Sequence, residues 1–335
     1  MDKEKKLGSV VAVTGASAGL GRAIALRFAK SGYKVGLIAR DPERLENLKK
    51  EIIALGTDAI AIPMDVTNAD DMFRAAEQIE EKLGPIDIWV NDAMVTMDSE
   101  FKDMEPKEFQ RITDVCYHGF VYGTMAALSK MYPRNKGVIV LVGSALAYRG
   151  IPLQSAYCGA KHAIQGFSES VRSELMHDKK KIYITMVQMP ALNTPQFSWC
   201  KTNMPRKPEP VAPIFQPELG AEAIFWSAHH PHKREIILGA RNTLIVWGNK
   251  FFPGFGDWYL AKTGYKSQMT DQLVNENRKN NMWTTVKGPF KSHGEFGKKA
   301  VNRSLQLFFV THPLYFWLTL SAIAVGTALL IKGLR

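Results

Sequence analysis

The sequence predicts an α/β protein built on a Rossmann-type, doubly wound parallel sheet with helices on both faces. Three observations support this prediction. Short apolar runs alternate with longer amphipathic runs over the first 190 residues, a glycine-rich turn follows the first apolar run, and the run lengths are those of βαβ units. A length of 335 residues with 46% hydrophobic residues allows one large α/β domain with an appendage.

The apolar runs are rich in β-branched residues and predict buried parallel strands. These strands are expected over residues 10–14, 34–39, 59–64, 87–90, 137–142 and 182–187. The amphipathic runs predict helices over residues 20–30, 42–55, 69–83, 106–131 and 156–177. Asp41 followed by Pro42 indicates a helix start, because proline is favoured at the first helical position.

The pattern changes after residue 190. Seven of the 17 prolines lie between Pro190 and Pro217, a density that excludes the interior of a helix or sheet. A helix over 218–228 and a strand over 235–238 are predicted to close a catalytic domain of residues 1–245. Aromatic residues then cluster over 247–259, and residues 271–300 are rich in Asn and Lys. Residues 246–303 are therefore predicted to be an aromatic and basic extension with a polar linker that lets the domain swing.

The last segment, residues 304–335, predicts one transmembrane helix. Residues 304–331 carry no charged side chain, and residues 313–331 would form a helix of about 28 Å, enough to cross a bilayer. Tyr315, Trp317 and Lys332 stand where interfacial anchors are expected. We expect a single-pass C-terminal anchor with the catalytic domain facing the cytoplasm. A buried C-terminal helix of the domain is the alternative.

The excess of positive charge also points to a membrane. The net charge is +11, and residues 201–335 contribute 18 basic and 8 acidic side chains to it. No nucleic-acid-binding motif accompanies this charge, so anionic headgroups fit better than nucleic acid. The three scattered cysteines predict neither a disulfide framework nor a metal site.

A phosphate-binding loop is predicted at Thr14-Gly15-Ala16-Ser17-Ala18-Gly19-Leu20-Gly21. Its glycines let the backbone turn sharply and approach a pyrophosphate at the positive end of a helix dipole. The strand–turn–helix context favours a dinucleotide-binding site over an ordinary tight turn.

The end of the second strand predicts NADP(H) rather than NAD(H). The sequence there reads Leu37-Ile38-Ala39-Arg40, with no acid to hold a ribose 2′-hydroxyl. The Arg40 guanidinium can form a fork onto a 2′-phosphate, and the Ser17 hydroxyl could add a donor. The alternative is that Arg40 is an ordinary solvated residue before a helix.

Catalytic chemistry is predicted from Tyr157 and Lys161, which lie on one face of a helix at positions i and i+4. A nearby ammonium favours phenolate, which lets a tyrosine act as an acid or base. Ser144 follows the strand over 137–142, at the carboxyl edge where such sheets bind ligands.

Together these motifs resemble the short-chain dehydrogenase/reductase family over residues 8–245, and the sequence around Tyr157 is similar to a bacterial subgroup. The resemblance implies that Tyr157 is the general acid/base and that Lys161 lowers its pKa and holds the nicotinamide ribose. It implies that Ser144 orients the substrate and that Asp65 contacts the adenine. The cofactor-binding residues it implies are Gly15, Ser17, Gly19, Leu20, Gly21, Arg40, Asp65, Val66, Asn91, Ala93, Tyr157, Lys161 and Thr194.

Three positions depart from the family pattern. Met94 stands where the family has glycine after Asn91-Asp92-Ala93, and Cys116 stands where it has a fourth catalytic residue, asparagine. The turn after residue 190 has Ala191 for glycine and one residue fewer before Thr194, which weakens its expected nicotinamide contact. Cys116 and Cys158 are expected to be small packing residues rather than nucleophiles.

We therefore predict an NADP(H)-dependent oxidoreductase that interconverts a carbonyl and a secondary alcohol, on a lipophilic small molecule. The alternative is a membrane-anchored NADP(H)-binding scaffold or redox sensor with little turnover, which Met94 and Cys116 favour. The aromatic residues 247–259 are expected either to touch headgroups or to cover the substrate cleft. Homo-oligomer formation stays open.

Overall fold

The computed structural model of the protein describes residues 8–275, 277–319 and 321. Its strands are β1 Val10–Thr14, β2 Lys34–Ala39, β3 Ala59–Pro63, β4 Ile86–Asn91, β5 Met97–Asp98, β6 Gly137–Ser144, β7 Ile182–Met189, β8 Lys201–Thr202, β9 Arg206–Pro208, β10 Ile214–Phe215, β11 Glu235–Ile237, β12 Met269–Leu273 and β13 Ala300–Val301. Seven of these strands form a parallel sheet in the order β11-β7-β6-β4-β1-β2-β3. The chain reverses its direction of winding between β1 and β4, where doubly wound sheets bind their ligands.

The helices begin close to the predicted residues. They are α1 Gly19–Ala29, α2 Pro42–Ala54, α3 Ala69–Leu83, α4 Pro106–Thr113, α5 Gly119–Arg134, α6 Ser155–His177, α7 Gln196–Trp199, α8 Pro217–His229, α9 Ala240–Phe251, α10 Pro253–Thr263 and α11 Leu305–Thr311. The Asp41 side chain accepts a hydrogen bond from the Arg44 N–H at 2.9 Å, which caps α2 as expected.

One predicted helix is divided into two in the structure. The expected helix over 106–131 is interrupted by a π-helical turn, Asp114–His118, between α4 and α5. A π-helical turn inserts one residue into the hydrogen-bond ladder, so the hydrophobic periodicity on either side still looks like that of one helix. The turn lies beside the catalytic end of the sheet and contains Cys116.

The core lies on both faces of the sheet. On one face, Ile79 of α3, Phe120 of α5 and Ile164 of α6 belong to a single buried cluster. On the other face, Ile24 of α1 and Ile224 of α8 belong to a second cluster. Because each buried strand packs against helices on both sides, the predicted Rossmann-type architecture is confirmed.

Parts of the segment over 190–303 pack at the carboxyl edge of the sheet. β12 pairs antiparallel with β9, and β13 pairs parallel with β10. The prediction of a free polar linker over 271–303 is therefore wrong, because the described part of this segment is bonded to the catalytic domain at both of its ends. The composition of this segment did not indicate its contacts with the catalytic domain, because many of them are backbone hydrogen bonds.

The start of the predicted tail is also part of the domain. The Gln306 side chain of α11 accepts from the Gly239 N–H at 3.0 Å and donates to the Ile237 carbonyl at 2.6 Å, and Leu307 is buried. A boundary at residue 304 is therefore too early. None of the helices in the described part of the chain is both long and apolar enough to cross a membrane. Residues 320 and 322–335 lie outside the described residues. They include most of the predicted span over 313–331.

Candidate active site

In the glycine loop between β1 and α1, Gly15 and Gly21 lie too close to neighbouring backbone atoms to carry a side chain. Gly15 has a φ of +74°, and a Cβ there would lie 2.9 Å from the Ala93 Cα. A Cβ on Gly21 would lie 2.4 Å from the Gly15 carbonyl oxygen. The Thr14 hydroxyl accepts from the backbone N–H groups of Asp92 and Ala93, at 3.0 and 3.2 Å. These bonds tie the loop to the end of β4.

Ser144, Tyr157 and Lys161 meet at the end of β6. Ser144 is the last residue of β6, and its hydroxyl hydrogen bonds the phenol of Tyr157 in the first turn of α6. Lys161 lies one turn further along α6 and is 2% exposed. Its Nζ donates to the Val142 carbonyl at 2.7 Å and lies 5.4 Å from the centre of the Tyr157 ring. The structure thus brings the three predicted catalytic residues together.

The electrostatics of this group differ from the expectation for Tyr157. Burial raises its pKa above the usual range, and the neighbouring thiols of Cys116 and Cys158 act in the same direction. Burial also lowers the pKa of Lys161. In the protein alone the phenol is therefore protonated near neutral pH, and the expected lowering of its pKa by Lys161 is absent. The buried state favours the proton donor form of Tyr157.

Asp92, which precedes Ala93 and Met94, is a titratable group that was not among the predicted site residues. It lines the cleft beneath the glycine loop, where the Gly21 N–H donates to its carboxyl. Burial raises the pKa of Asp92 to about 8, although the charge of Lys161 acts against this rise. At neutral pH the carboxyl is mostly protonated and can donate a hydrogen bond.

Cys116 lies next to the site in the π-helical turn. Its side chain is fully buried, and Sγ donates to the Val95 carbonyl at 3.1 Å. Burial raises the pKa of Cys116, and burial likewise raises that of Cys158. Both groups are thiols rather than thiolates near neutral pH, which fits packing residues and not nucleophiles.

The adenosine end of the cleft lies beyond the ends of β2 and β3. Asp65 accepts hydrogen bonds from the Thr67 N–H at 3.1 Å and from the Arg111 guanidinium. Burial alone would raise its pKa, but the bonds to Arg111 and Thr67 outweigh burial and lower the pKa of Asp65. Because Arg111 holds this carboxylate, Asp65 is less available to an adenine than the resemblance implied.

Arg40 is bonded to a distant part of the chain. Its Nη2 donates to the Asn281 carbonyl at 2.7 Å, and its Nη1 lies 3.2 Å from the Trp283 carbonyl. Arg44 lies next to it, and its Nη2 pairs with Asp41 at 2.7 Å. Arg44 Nε and Nη1 are buried and have no hydrogen-bond partner among the described residues. A second cation thus stands beside the predicted phosphate ligand.

A cavity of about 850 Å³ joins these groups along the carboxyl edge of the sheet. Most of the predicted site residues line it, namely Gly15, Ser17, Gly19, Leu20, Arg40, Asp65, Val66, Ala93, Ser144, Tyr157, Lys161 and Thr194. Gly21 and Asn91 lie buried beneath it, and Asn91 donates to the Phe120 carbonyl at 3.3 Å and to the Thr124 hydroxyl at 3.2 Å. Asn91 therefore supports the cleft from below.

Two contributors to this cavity were not predicted, Arg44 and the segment over 281–296. Arg111 was not predicted either, and it joins the site through its bond to Asp65. Arg44 and Arg111 lie on helices, where charged residues usually face solvent. Only the folded structure shows that they lie near the site. The segment carried one usable signal, apolar residues within a polar run, and the structure buries Met282 among them completely.

A comparison with protein families matches residues 9–203 to the short chain dehydrogenase family. This chain belongs to that family. The matched range includes the glycine loop and all of Ser144, Tyr157 and Lys161, so the resemblance noted from the motifs is confirmed. The short-chain dehydrogenase is accordingly an oxidoreductase, and its family uses nicotinamide cofactors.

Relatives of this short-chain dehydrogenase cover most of the chain. It is 34% identical over 276 residues to the "Uncharacterized oxidoreductase YxnA" of Bacillus subtilis (strain 168), over 82% of this chain and 77% of that protein. It is 32% identical over 196 residues to the "3-ketodihydrosphingosine reductase" of Bos taurus, over 57% of this chain and 58% of that protein.

A solved structure supports the fold of this short-chain dehydrogenase. It is the alcohol dehydrogenase from the archaeon Thermococcus sibiricus complexed with 5-hydroxy-NADP, which matches with a TM-score of 0.60. The match covers 69% of this chain and 95% of the archaeal chain, at 24% identity.

Proposed function

We propose that the protein is an NADP(H)-dependent oxidoreductase that interconverts a lipophilic carbonyl compound and its secondary alcohol. One observation carries this proposal: Ser144, Tyr157 and Lys161 line a single cavity together with the glycine loop at the start of α1. An acid/base and a dinucleotide site in one cleft are the two requirements of hydride transfer to a carbonyl.

The residues present fit a nicotinamide dinucleotide. The glycine loop stands at the N-terminus of α1, where a phosphate would meet the positive end of the helix dipole. Arg40 and the two unpartnered nitrogens of Arg44 offer positive charge for a 2′-phosphate, and no acid ends β2. These features favour NADP(H) over NAD(H). When bound, the nicotinamide supplies or accepts the hydride.

The chain's own residues handle the proton. Because burial keeps Tyr157 protonated, its phenol can give a proton to the substrate oxygen when a carbonyl is reduced. The Ser144 hydroxyl, which bonds Tyr157, can bond the same oxygen and orient the substrate. The Lys161 ammonium lies 5.4 Å from the Tyr157 ring centre and stabilises a phenolate that has lost its proton.

The cavity walls support a lipophilic substrate. Beyond Tyr157 the cavity passes between apolar side chains of α9 and α10, including Leu244, Ile245, Phe255 and Leu260. The name of the bovine relative, a 3-ketodihydrosphingosine reductase, is consistent with a long-chain ketone. We infer that the substrate carries a hydrocarbon portion that lies along these helices, with its carbonyl toward Ser144.

The outer face of α9 and α10 supports membrane contact. Trp247, Phe251 and Trp258 are exposed there, and Phe251 is 69% exposed. Lys250 Nζ lies 5.0 Å from the Trp247 ring centre, and Lys262 Nζ lies 4.2 Å from that of Trp258. Aromatic rings flanked by lysines suit the headgroup region of an anionic bilayer. A single-pass anchor within 304–335, with the domain facing the cytoplasm, is part of this proposal.

Vesicle binding tests the membrane contact. A chain ending at His312 keeps α11 on the domain and is expected to bind anionic vesicles weakly and in a salt-sensitive way. Trp247→Ser with Phe251→Ser should weaken that binding by about a hundredfold or more, since losing the burial of each ring costs about 1.5–3 kcal/mol. Phe101→Ser, at a 70% exposed ring elsewhere, is the matched control. If the chain ending at His312 ignores vesicles at low salt, the contact belongs to residues beyond 312 alone.

A substrate panel tests the activity. The purified protein is mixed with NADPH or NADH and with 3-ketodihydrosphingosine, a steroid ketone or a short water-soluble ketone, and the fall in absorbance of the reduced cofactor is followed. We expect turnover with NADPH and faster turnover with the lipophilic ketones. The scaffold or sensor alternative, favoured by Met94 and Cys116, instead predicts cofactor binding with no turnover on any ketone.

A further inference from the structure

Residues 281–296, here named the strap, cross the adenosine end of the cleft. The carbonyls of Asn281, Met282 and Trp283 accept hydrogen bonds from Arg40 at 2.7, 3.4 and 3.2 Å. The Met282 carbonyl also accepts from Arg111 Nε at 3.0 Å. The backbone of the strap is therefore bonded to two of the cations that surround the adenosine end.

The strap is anchored on both sides of these carbonyls. The Met282 side chain is fully buried in the core, and the Asn281 N–H donates to the Trp199 carbonyl at 3.0 Å. Further along, the Phe290 ring packs edge-on against Trp199, with ring centres 4.5 Å apart. The segment thus lies in a defined position and not loosely over the surface.

The strap also reaches the phosphate-binding end of the cleft. Its Lys291 carbonyl accepts from the Gly19 N–H at 3.0 Å, and its Gly294 N–H donates to the Asn193 carbonyl at 3.1 Å. Gly19 belongs to the glycine loop, and Asn193 precedes Thr194, which lines the cavity. Any movement of the strap therefore disturbs three separate parts of the cofactor site.

Charge beneath the strap favours an anionic ligand. Arg40, Arg44 and Arg111 gather there with two carboxylates, Asp65, which Arg111 holds, and Asp41, which pairs with Arg44. Burial and the nearby charges of Arg111 and Arg44 lower the pKa of Arg40, against the opposing charge of Asp65. Two nitrogens of Arg44 have no partner among the residues the structure describes, and the guanidinium lies 5.0 Å from the Trp199 ring centre. Buried guanidinium nitrogens without a hydrogen-bond partner are costly unless an acceptor such as a phosphate oxygen joins them.

We propose that the strap is part of the cofactor site: it closes over the phosphate-bearing adenosine end of the dinucleotide and slows its release. This proposal rests on the proposed function, which supplies the dinucleotide. The strap and the bound cofactor would then stabilise each other, because coupling between two binding events is reciprocal. Weakening the strap must weaken cofactor binding, and cofactor must make the strap harder to open.

A matched pair of glycine variants tests the first consequence. A Cβ on Gly294 would lie 2.3 Å from the Thr194 carbonyl oxygen, so Gly294→Ala must displace the strap. A Cβ on Gly297 would lie 3.7 Å from the Asn193 side chain, an ordinary contact, so Gly297→Ala is the control. Titration of cofactor fluorescence should give about a tenfold higher Kd for NADPH in Gly294→Ala and less than a twofold change in Gly297→Ala.

Trypsin cleavage of the unmodified full chain tests the second consequence without a variant. Lys287 and Lys291 are exposed positions within the strap, and Lys262 is exposed in α10. Saturating NADPH should slow cleavage after Lys287 and Lys291 at least about fivefold and leave Lys262 unaffected. Fragments are identified by mass spectrometry.

The outcomes separate the strap from the proposed function. If the parent binds NADPH or NADH but cleavage in the strap is unchanged and Gly294→Ala binds like Gly297→Ala, the strap proposal is overturned and the function stands. If the parent binds neither cofactor, both proposals are overturned. Protection of the strap together with weaker binding in Gly294→Ala alone supports the strap.

Discussion

The two ends of the cofactor cleft are built in different ways. At the nicotinamide end, Ser144, Tyr157 and Lys161 come from one strand and the helix that follows it, and buried side-chain bonds hold them. At the adenosine end, Arg40 is held by backbone carbonyls that lie 241 residues or more further along the chain. The first end is fixed by the sheet, whereas the second depends on a segment that can in principle detach. If the proposed function holds, we expect variants to separate chemistry from cofactor retention in this molecule.

Arg44→Gln should produce the largest change at the adenosine end. The variant removes the unpartnered guanidinium nitrogens, and a lost charge-assisted bond to phosphate is worth about 1.5–3 kcal/mol, or roughly 10- to 100-fold in Kd. NADPH affinity should fall by that factor, NADH affinity should change little, and kcat should be retained. Arg74→Gln removes a similar i,i+3 pair, with Asp71, on exposed α3 and is the control. Equal loss of NADPH and NADH affinity would mean that Arg44 does not contact the 2′-phosphate.

Asp92, between the two ends, should make the protein pH-sensitive. Its pKa of about 8 in the folded protein lies above its ordinary value, so the folded state keeps a proton that the unfolded chain loses near pH 4. The contribution of this proton to the free energy of unfolding is complete below about pH 4 and is lost as the pH rises through about 8. The melting temperature of the parent should therefore fall between pH 5 and 9 more steeply than that of Asp92→Asn, by about 2 °C for each kcal/mol of difference.

Asp103→Asn, at an exposed carboxyl, is the control for this pH experiment. Its melting temperatures should follow those of the parent at every pH. Parallel curves for the parent and Asp92→Asn would show that Asp92 is ionised in the folded protein throughout, and its role as a hydrogen-bond donor beside Gly21 would be excluded.

Cys116→Asn should have the smallest effect, at the nicotinamide end. The side chain is fully buried at a π-helical turn, and the Val95 carbonyl that accepts from its thiol can accept from an amide. We expect kcat to stay equal or to rise by less than about threefold. Loss of activity in this variant, with inactivation of the parent by an alkylating reagent and protection by NADPH, would give the thiol a role that its raised pKa argues against.

The sequence alone predicted the strands and helices of the parallel sheet well. The bounds of β1, β2 and α3 match the predicted ranges residue for residue, because strand and helix periodicities are local properties of the chain. Most of the predicted site residues line the cavity for the same reason: the ends of parallel strands must meet at one edge of the sheet.

The adenosine end could not be predicted in this way. The bonds of the strap to Arg40 come from carbonyl groups, which every residue has, so the side chains of Asn281 to Trp283 carry no sign of them. The π-helical turn at Cys116 is hidden because the periodicity resumes after one extra residue. The raised pKa values of Tyr157 and Asp92 follow from burial, which depends on the whole fold.

The most direct test of the account is the comparison of Tyr157→Phe with the parent, measured as both NADPH turnover on a lipophilic ketone and NADPH affinity. The variant keeps the ring and removes the transferable proton. The account predicts that kcat falls about 10²-fold or more while the Kd for NADPH changes less than about twofold. Retained turnover in Tyr157→Phe would contradict it, because the proton would then come from another group and the nicotinamide end would not be the site of chemistry.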